Sequence, residues 1–312
     1  MSSINTNTSA MNALSTLRSV NSSLNQTQDR ISTGLKVGSA KDNAAYFAIS
    51  ETMKGDSGMT KAVNESLTLT KNSLATARVG AESVKDLANQ FSERVAFAQS
   101  GDATIDDIST ELAEIVKQMG TSISQSTFNG DDLVAAGDTI ATTAVVDGTT
   151  GAITTDAATT NGERSLTVVT GISRLNDTFA TTNMTVSGVD LKEIHNEFKA
   201  ISDNLKTNYD ALTTDAAKQT YLENTLEEAQ GLLARSVSAE TTLGVAEKSI
   251  ENQQEFLTKL SDNLDSGVGA MVDANMEEEA ARLQALQVQQ QLASQSLSIA
   301  NQAPQNILSL FR

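Results

Sequence analysis

The sequence predicts a mainly α-helical protein: a long antiparallel coiled-coil rod with paired N- and C-terminal helices and a small inserted outer domain that contains β-strands. Three observations predict it. A single proline in 312 residues permits very long helices. Apolar residues alternate at three- and four-residue spacing through residues 59–98, and a mainly apolar row of residues seven apart runs through 222–264, which is the coiled-coil pattern. Over residues 131–190 Thr, Gly, Asp and Val dominate, and the long helical period is lost.

The first helix is predicted over residues 4–35. Its apolar side chains form a stripe that shifts by one position after Leu14 and then continues at helical spacing. Gly34 and Gly38 mark its end, and residues 39–42 predict a linker that leads to the next helix. The members of this stripe are Ile4, Met11, Leu14, Leu17, Leu24, Ile31 and Leu35.

Three further helices are predicted to form the rod. The stretch 59–98 carries the apolar alternation over five heptads, and a second helix follows from Ile105. A third helix covers 222–264 and is predicted to break at Gly267 and Gly269. The predicted core of the rod consists of Val63, Leu67, Leu74, Val84, Phe91, Val95, Ile108, Leu112, Ile115, Leu243, Ile250, Leu257 and Leu264.

The insertion is predicted to contain β-structure. Residues 142–147 and 152–155 flank a Gly-Thr-Thr-Gly turn and predict a hairpin. Residues 165–170 and 184–187 are further strand candidates, and a weak helical pattern returns at 191–212.

These patterns divide the chain into three predicted domains. Residues 1–43 and 270–312 form a terminal coiled-coil domain, and residues 44–135 and 213–269 form the helical rod. Residues 136–212 form the small, variable, surface-exposed domain.

The last predicted helix begins near Asn275 and then loses all charge. No side chain from Leu283 to Phe311 is charged, whereas a solvated surface helix normally carries charges on its wet face. Its density of glutamine rules out a membrane span. We therefore expect an assembly surface that is surrounded by protein only when several copies pack together. Its apolar members are Leu283, Leu286, Val288, Leu292, Leu297, Ile299, Ile307, Leu308, Leu310 and Phe311.

Composition excludes several function classes. A net charge of −17 argues against nucleic-acid binding, because phosphate contacts need Lys and Arg. The chain has no cysteine and therefore no disulfide and no thiolate site. Its single histidine, His195, stands among acidic residues and is expected to be a solvated surface residue. We expect no enzyme activity, cofactor or metal, and the first residues predict no cleaved Sec-type signal peptide.

Three motifs carry a family resemblance. Residues 31–45 (Ile-Ser-Thr-Gly-Leu-Lys-Val-Gly-Ser-Ala-Lys-Asp-Asn-Ala-Ala) resemble the N-terminal signature of bacterial flagellin. Residues 126–130 (Ser-Thr-Phe-Asn-Gly) resemble the motif that ends its second core helix, and residues 300–312 resemble its C-terminus. The resemblance implies a structural subunit that self-assembles into the flagellar filament, with the terminal helices in an inner tube and the insertion facing solvent.

The resemblance also implies a route and partners. Flagellins are exported unfolded through the flagellar type III apparatus, with a chaperone on the C-terminal helix, and polymerise beyond the hook-junction proteins under a cap. The expected location is therefore the extracellular filament of a secreted homopolymer, with O-linked glycans on the outer domain as a further expectation. An innate receptor reads an Arg-rich segment in many flagellins. Residues 89–99 carry only Arg94, with Phe91 about where an Arg is expected, so its recognition is not expected here.

Two other functions remain open at the level of sequence. A hook–filament junction protein has similar terminal helices but forms only a short ring. A secreted adhesin or receptor ligand would use the insertion for attachment.

Overall fold

In the computed structural model the chain folds into two compact units, one formed by residues 1–58 with 260–312 (unit 1) and the other by residues 59–259 (unit 2). The structure describes residues 7–101, 104–128, 130, 132–134, 144–150, 153–155, 165–175 and 178–310. The helices are α1 (Thr8–Thr33), α2 (Ala44–Ala98), α3 (Ile105–Gln125), α4 (Leu191–Ala211), α5 (Asp215–Val272) and α6 (Met276–Leu310). The strands are β1 (Ala144–Val146), β2 (Ile153–Thr155), β3 (Ser165–Leu175) and β4 (Thr178–Ser187). The predicted mainly α class with a β-containing insertion is confirmed.

In unit 2, α2 and α5 run antiparallel. Four contacts between them join successively later residues on the α2 side to successively earlier residues of α5. They are Asn64 Nδ2 to Thr258 Oγ1 at 3.1 Å, Arg78 Nε to Glu247 Oε2 at 2.9 Å, Lys85 Nζ to Glu240 Oε2 at 3.0 Å, and Gln99 Nε2, just after α2, to Leu222 O at 3.2 Å. Between these polar rims the apolar heptad positions meet. The antiparallel direction therefore follows from the contacts on both sides of the seam.

The predicted rod-core residues lie at two levels of burial. Buried members are Leu67, Leu74, Val84, Phe91, Val95, Ile108, Leu112, Leu243, Ile250 and Leu257. Half-buried members are Val63, Ile115 and Leu264. All of these except Leu264 belong to one apolar cluster or pack against it, and Leu264 lies in unit 1.

α4 belongs to the same core, although the sequence placed residues 191–211 in the outer segment. The rings of Phe91 and Phe198 lie 4.9 Å apart between centroids. Arg235 Nη1 donates to Glu197 Oε2 at 2.6 Å. Burial raises the pKa of the Glu197 carboxyl, while the guanidinium acts in the opposite direction. The fully buried apolar side chains of α4 include Leu191, Phe198, Ile201 and Leu205.

Both β-hairpins are antiparallel. In the first, Ala144 pairs with Thr155 and Val146 with Ile153, as the turn sequence predicts. The second pairs β3 with β4 over longer strands than the sequence predicts. Gln253 Nε2 on α5 donates to the carbonyl of Thr170 at 2.7 Å, so this hairpin is tied to the helical core.

The predicted break of α5 at two glycines is wrong, because the helix continues through Gly267 and Gly269 to Val272. Glycine in a helix interior costs only about 1 kcal/mol relative to alanine, and packing here outweighs that cost. A Cβ at Gly267 would lie 2.8 Å from Met53 Cε, and the adjacent Val268 is buried.

α2 begins at Ala44, fifteen residues before its apolar heptads. This early start also depends on packing that the apolar pattern of the sequence does not show. Its seam there is polar: Ser50 and Ser57 are buried. The Ser57 hydroxyl donates to Asp265 Oδ1 at 2.7 Å and lies 3.1 Å from the Ser261 hydroxyl. Serine pairs across a helix seam leave no apolar period, so the sequence pattern starts late.

Gly80 permits close approach of α2 to the end of α3. A Cβ at this position would lie 2.5 Å from Ser126 Cβ and 1.9 Å from Ser126 Oγ. Ser126 opens the Ser-Thr-Phe-Asn-Gly motif, and its hydroxyl donates to the carbonyl of Ser122 at 2.5 Å. The glycine therefore positions the segment that follows α3.

The Gly80→Ala variant is expected to unfold at lower urea concentration, with the free energy of unfolding reduced by about 1–3 kcal/mol through overpacking. Gly231, which also lies inside a helix but has no atom near its Cβ position, provides the control. Gly231→Ala should gain about 0.5–1 kcal/mol from helix propensity. Equal stability of the two variants, measured by circular dichroism, would contradict the close approach.

His195 is half-buried against α3 and is not the solvated residue that its acidic neighbours predict. A Cβ on Gly120 would lie 2.9 Å from His195 Nε2, so the ring fills the space above a glycine. Burial lowers the pKa of the His195 imidazole, and the positive charges of Lys199 and Lys192 act in the same direction. The folded state therefore favours the neutral ring.

This arrangement predicts a loss of stability in mild acid. The unfolded chain binds the His195 proton more tightly than the folded chain, so the free energy of unfolding falls as pH drops through about 6.5. Urea titrations above and below this pH should show a larger loss for the natural chain than for His195→Gln, which cannot become charged. An equal loss in both proteins would assign the acid sensitivity to other groups.

Candidate assembly surface

The terminal helices α1 and α6 form an antiparallel pair within unit 1. Three contacts set its register: Asn7 Nδ2 donates to Ala300 O at 2.8 Å, Gln290 Nε2 donates to Asn21 Oδ1 at 2.7 Å, and Arg30 Nη1 donates to Glu279 Oε1 at 3.1 Å. Successive contacts advance along α1 and recede along α6. The pair is therefore a two-helix coiled coil with its own seam.

The seam is made of small and polar residues as much as of leucine. On each helix the inward positions, buried or half-buried, alternate at three- and four-residue spacing. On α1 they are Ala10, Ala13, Leu17, Val20, Leu24, Thr27 and Ile31. On α6 they are Glu279, Leu283, Leu286, Gln290, Ala293, Leu297 and Ala300.

The structure separates the sequence-predicted assembly residues into several groups. Leu24 is buried in the seam. Half-buried are Leu17, Ile31, Leu35, Leu283, Leu286 and Leu297. Exposed are Met11, Leu14, Leu292 and Ile299. Ile307, Leu308 and Leu310 belong to α6, whereas Ile4 and Phe311 lie outside the described residues.

Sequence reasoning placed the predicted residues of α1 on a stripe with a one-position shift, named the large apolar residues of α6, and missed eight of the fourteen seam positions. Ala13, Thr27 and Ala293 face the partner helix, but none of them stands out in an apolar pattern. A strict three–four count over all uncharged residues, rather than over large apolar ones, would have found them.

α6 carries a second apolar stripe that faces away from α1. Val288, Leu292 and Ile299, the outer stripe, are 56%, 58% and 64% exposed. At 100° per residue they lie on roughly the opposite side of the helix from the seam. Large apolar side chains in such a row are normally covered by another protein surface.

Short linkers hold both terminal helices against the end of α5. α1 ends at Gly34, whose φ of 73° is the left-handed conformation typical of a helix C-cap. The Gly34 carbonyl accepts from the Ala274 backbone N–H at 2.9 Å, and the Lys36 N–H donates to Val272 O at 2.6 Å. Val37 packs with Val272 in a small apolar cluster. The linkers thus fix where α1 ends and α6 begins.

One ion pair joins the two helices among the residues that the structure describes. The Glu279 side chain is 7% exposed and that of Arg30 is 21% exposed. Arg282 Nη1 lies 3.7 Å from the same Glu279 oxygen. A charge buried to this degree is costly if its partner is removed. The pair therefore specifies which ends of α1 and α6 meet.

Within the described part of the chain, none of the helices contains a stretch that is long and apolar enough to cross a membrane. No group of three or more His, Cys, Asp or Glu side chains there is placed to hold a metal ion.

Comparisons with known proteins agree with the helical arrangement. Residues 4–139 match the bacterial flagellin N-terminal helical region and residues 226–311 match the bacterial flagellin C-terminal helical region. All three resemblance motifs fall in these spans, apart from the final Arg312. A flagellin of Brucella melitensis is 36% identical over the whole of both chains. Flagellin C of Rhizobium meliloti is 32% identical over the whole of both chains.

Among solved structures, a putative flagellar hook-associated protein from Vibrio parahaemolyticus has a similar fold. The TM-score is 0.52 at 14% identity, over 74% of this chain and 100% of that chain. At this identity the likeness concerns the fold alone. Two matched helical regions and full-length relatives above 30% identity establish the family: the chain belongs to the bacterial flagellins, which are structural proteins and not enzymes.

Proposed function

We propose that the chain is the structural subunit of a bacterial flagellar filament and that its copies join through α1 and α6. The observation that carries this assignment of the surface is the outer stripe, Val288, Leu292 and Ile299, which the described chain leaves uncovered. In this proposal the terminal domain, residues 1–43 and 270–312, is the part of the chain that polymerises.

The terminal pair buries too little to be stable alone. Among the described side chains of α1 and α6, Leu24 is the only large apolar one that is buried. Isolated helices are marginal in water, and most of their stability in proteins comes from packing of an apolar face. Packing against further copies would supply the missing burial, so ordering of the pair and polymerisation are coupled.

The absence of charge on most of α6 also supports its assignment as the assembly surface. The stretch 283–310 has no ionisable side chain, while the whole chain carries −17. A charge buried without a partner in the interior of a filament would be destabilising. The acidic groups elsewhere keep the monomer soluble and oppose association at low salt.

We infer the following route and partners from the family. The subunit leaves the cell unfolded through the flagellar type III apparatus, with a chaperone over α6, and adds beyond the hook-junction proteins beneath a cap. Within the predicted outer segment, residues 136–212, α4 packs in the core of unit 2, and the part that precedes α4 faces solvent and carries O-linked glycans.

Recognition by the innate receptor is not expected, and burial supports this. Phe91, which stands about where that receptor's Arg is expected, is fully buried on α2. The one arginine of residues 89–99, Arg94, forms an ion pair with Glu111, with 3.3 Å between Arg94 Nε and Glu111 Oε2.

Seeded growth tests the function. Purified monomer added to short filament fragments should elongate them into long tubes that are visible by negative-stain microscopy. Failure to elongate would favour the short ring of a junction protein.

Replacing two residues of the outer stripe should weaken elongation. Leu292→Gln with Ile299→Gln removes exposed apolar surface without touching the seam, so the critical concentration should rise about tenfold or more, equivalent to about 1.4 kcal/mol or more. Phe256→Gln is the matched control, because Phe256 is 57% exposed on α5 outside the terminal pair. Light scattering and sedimentation measure both variants. Equal effects of the two changes would remove the outer stripe from the assembly surface.

Exchanging the charges of the buried ion pair tests the α1–α6 pairing. Arg30→Glu alone places two carboxylates together and should abolish polymerisation, at a cost of about 3–5 kcal/mol for a buried unpaired charge. Adding Glu279→Arg should restore part of the yield in sedimentation. Polymerisation of the single variant at the normal concentration would contradict the pairing.

A further inference from the structure

The helix α2 contains two glycines that its packing does not require. Gly55 and Gly58 lie in the helix interior, and a Cβ on either would meet nothing within 4 Å beyond the adjoining helix backbone. Gly80 on the same helix differs, because Ser126 fills the space where its Cβ would be. Glycine inside a helix weakens it relative to alanine, since glycine loses more backbone entropy on folding. The two glycines therefore make this part of α2 intrinsically weak.

Tertiary packing also gives the first part of α2 little support. In residues 44–66 every buried side chain of α2 is polar, and the apolar side chains are at most half-buried. Leu67 is the first large apolar side chain of α2 that is fully buried. Because a hydroxyl gains much less from burial than a leucine does, apolar packing holds α2 firmly only from Leu67 onward. The buried residues before it are Ser50, Ser57 and Thr60.

Hydroxyl groups make the contact of Ser57 with α5. The Ser57 hydroxyl donates to Asp265 Oδ1 at 2.7 Å and lies 3.1 Å from the Ser261 hydroxyl. Asp265 is exposed, so water can replace the serine hydroxyl there at a small net cost. Further along α2, by contrast, ion pairs such as Lys71 Nζ to Glu251 Oε1, at 2.8 Å, flank an apolar seam.

We propose that residues 54–60 of α2 form a hinge segment, which opens and recloses while α2 stays folded from Leu67 onward. Local openings of this kind occur in folded proteins where apolar burial is low. An opening here breaks helical hydrogen bonds beside two glycines and exposes no large buried apolar side chain. It therefore costs less than an opening within residues 67–98. The boundary between units 1 and 2 also falls inside the hinge segment, after Gly58.

A hinge at this place suits a subunit that polymerises. α2 can bend at the hinge segment as copies come together, and the apolar seam of unit 2 is unchanged by the bend. This role rests on the proposed polymerisation, whereas the opening itself is a property of the monomer.

Amide hydrogen exchange of the full-length monomer, followed by mass spectrometry, tests the opening directly. After correction for the intrinsic rate of each amide, residues 52–62 should exchange about tenfold faster or more than residues 84–95 of the same helix. Residues 84–95 are the comparison because Val84, Phe91 and Val95 are fully buried there. Equal exchange of the two stretches in the natural chain would overturn the hinge.

Replacing both glycines should close the hinge segment. Alanine fits both positions without a clash and favours the helix. In Gly55→Ala with Gly58→Ala, exchange at residues 52–62 should therefore slow about tenfold, with no change at 84–95. Gly231→Ala on α5 is the matched control and should leave exchange at 52–62 as it is in the natural chain. A double variant that exchanges as fast as the natural chain would also overturn the hinge.

Trypsin provides an independent measurement, because cleavage inside a helix requires the chain around the bond to open. Cleavage after Lys61 should be faster than cleavage after Lys71 in the natural chain. It should slow in the double glycine variant, which changes neither cleavage site. Equal rates after the two lysines would contradict the hinge. Neither experiment measures filament growth, so failure of the hinge and failure of the proposed function are distinguishable.

Discussion

Every helix in this chain depends on an apolar stripe that only a neighbouring helix can cover. In unit 2 the neighbours are all present: α2, α3, α4 and α5 cover one another, and Phe91 and Phe198 are fully buried where α2 meets α4. In unit 1 the terminal helices have mainly each other. One two-helix seam covers one face of each helix, so the outer stripe of α6 stays exposed. The same packing rule that completes the core of unit 2 therefore leaves unit 1 with an exposed apolar stripe, which we propose is covered by further copies.

The seams differ in composition, and the difference matches their roles. The buried positions of α2 and α5 in unit 2 are mostly leucine, valine, alanine and phenylalanine, with some serine and threonine such as Thr70 and Ser236, whereas the seam of α1 and α6 also includes Glu279 and Gln290. A seam with polar positions gains less from burial but specifies direction and register. A terminal pair of modest stability is consistent with our proposal that the subunit is exported unfolded and that its terminal helices become ordered on assembly.

Several elements could be predicted from sequence because one local signal dominated each of them. The first hairpin has a Gly-Thr-Thr-Gly turn between β-branched residues, and α6 starts at the cap that Asn275 forms for Glu277, with a hydrogen bond of 3.1 Å. Other features depended on a partner. Gly267 remains helical because Met53 packs over it, and the single histidine is half-buried because Gly120 makes room for its ring. Such pairings between distant residues leave no period in the sequence.

By itself the sequence determined the helical class, the heptad spacing, the inserted strands and the uncharged C-terminal stretch, since spacing and charge are properties of the chain. Tertiary structure alone decided which uncharged residues face inward. The sequence groups Met11 and Leu292 with the leucines of the seam, but both are exposed, while Ala13 and Ala293 lie in the seam. The reason is steric: two helices that approach closely select small side chains along their contact, and the larger apolar ones remain free to face another molecule.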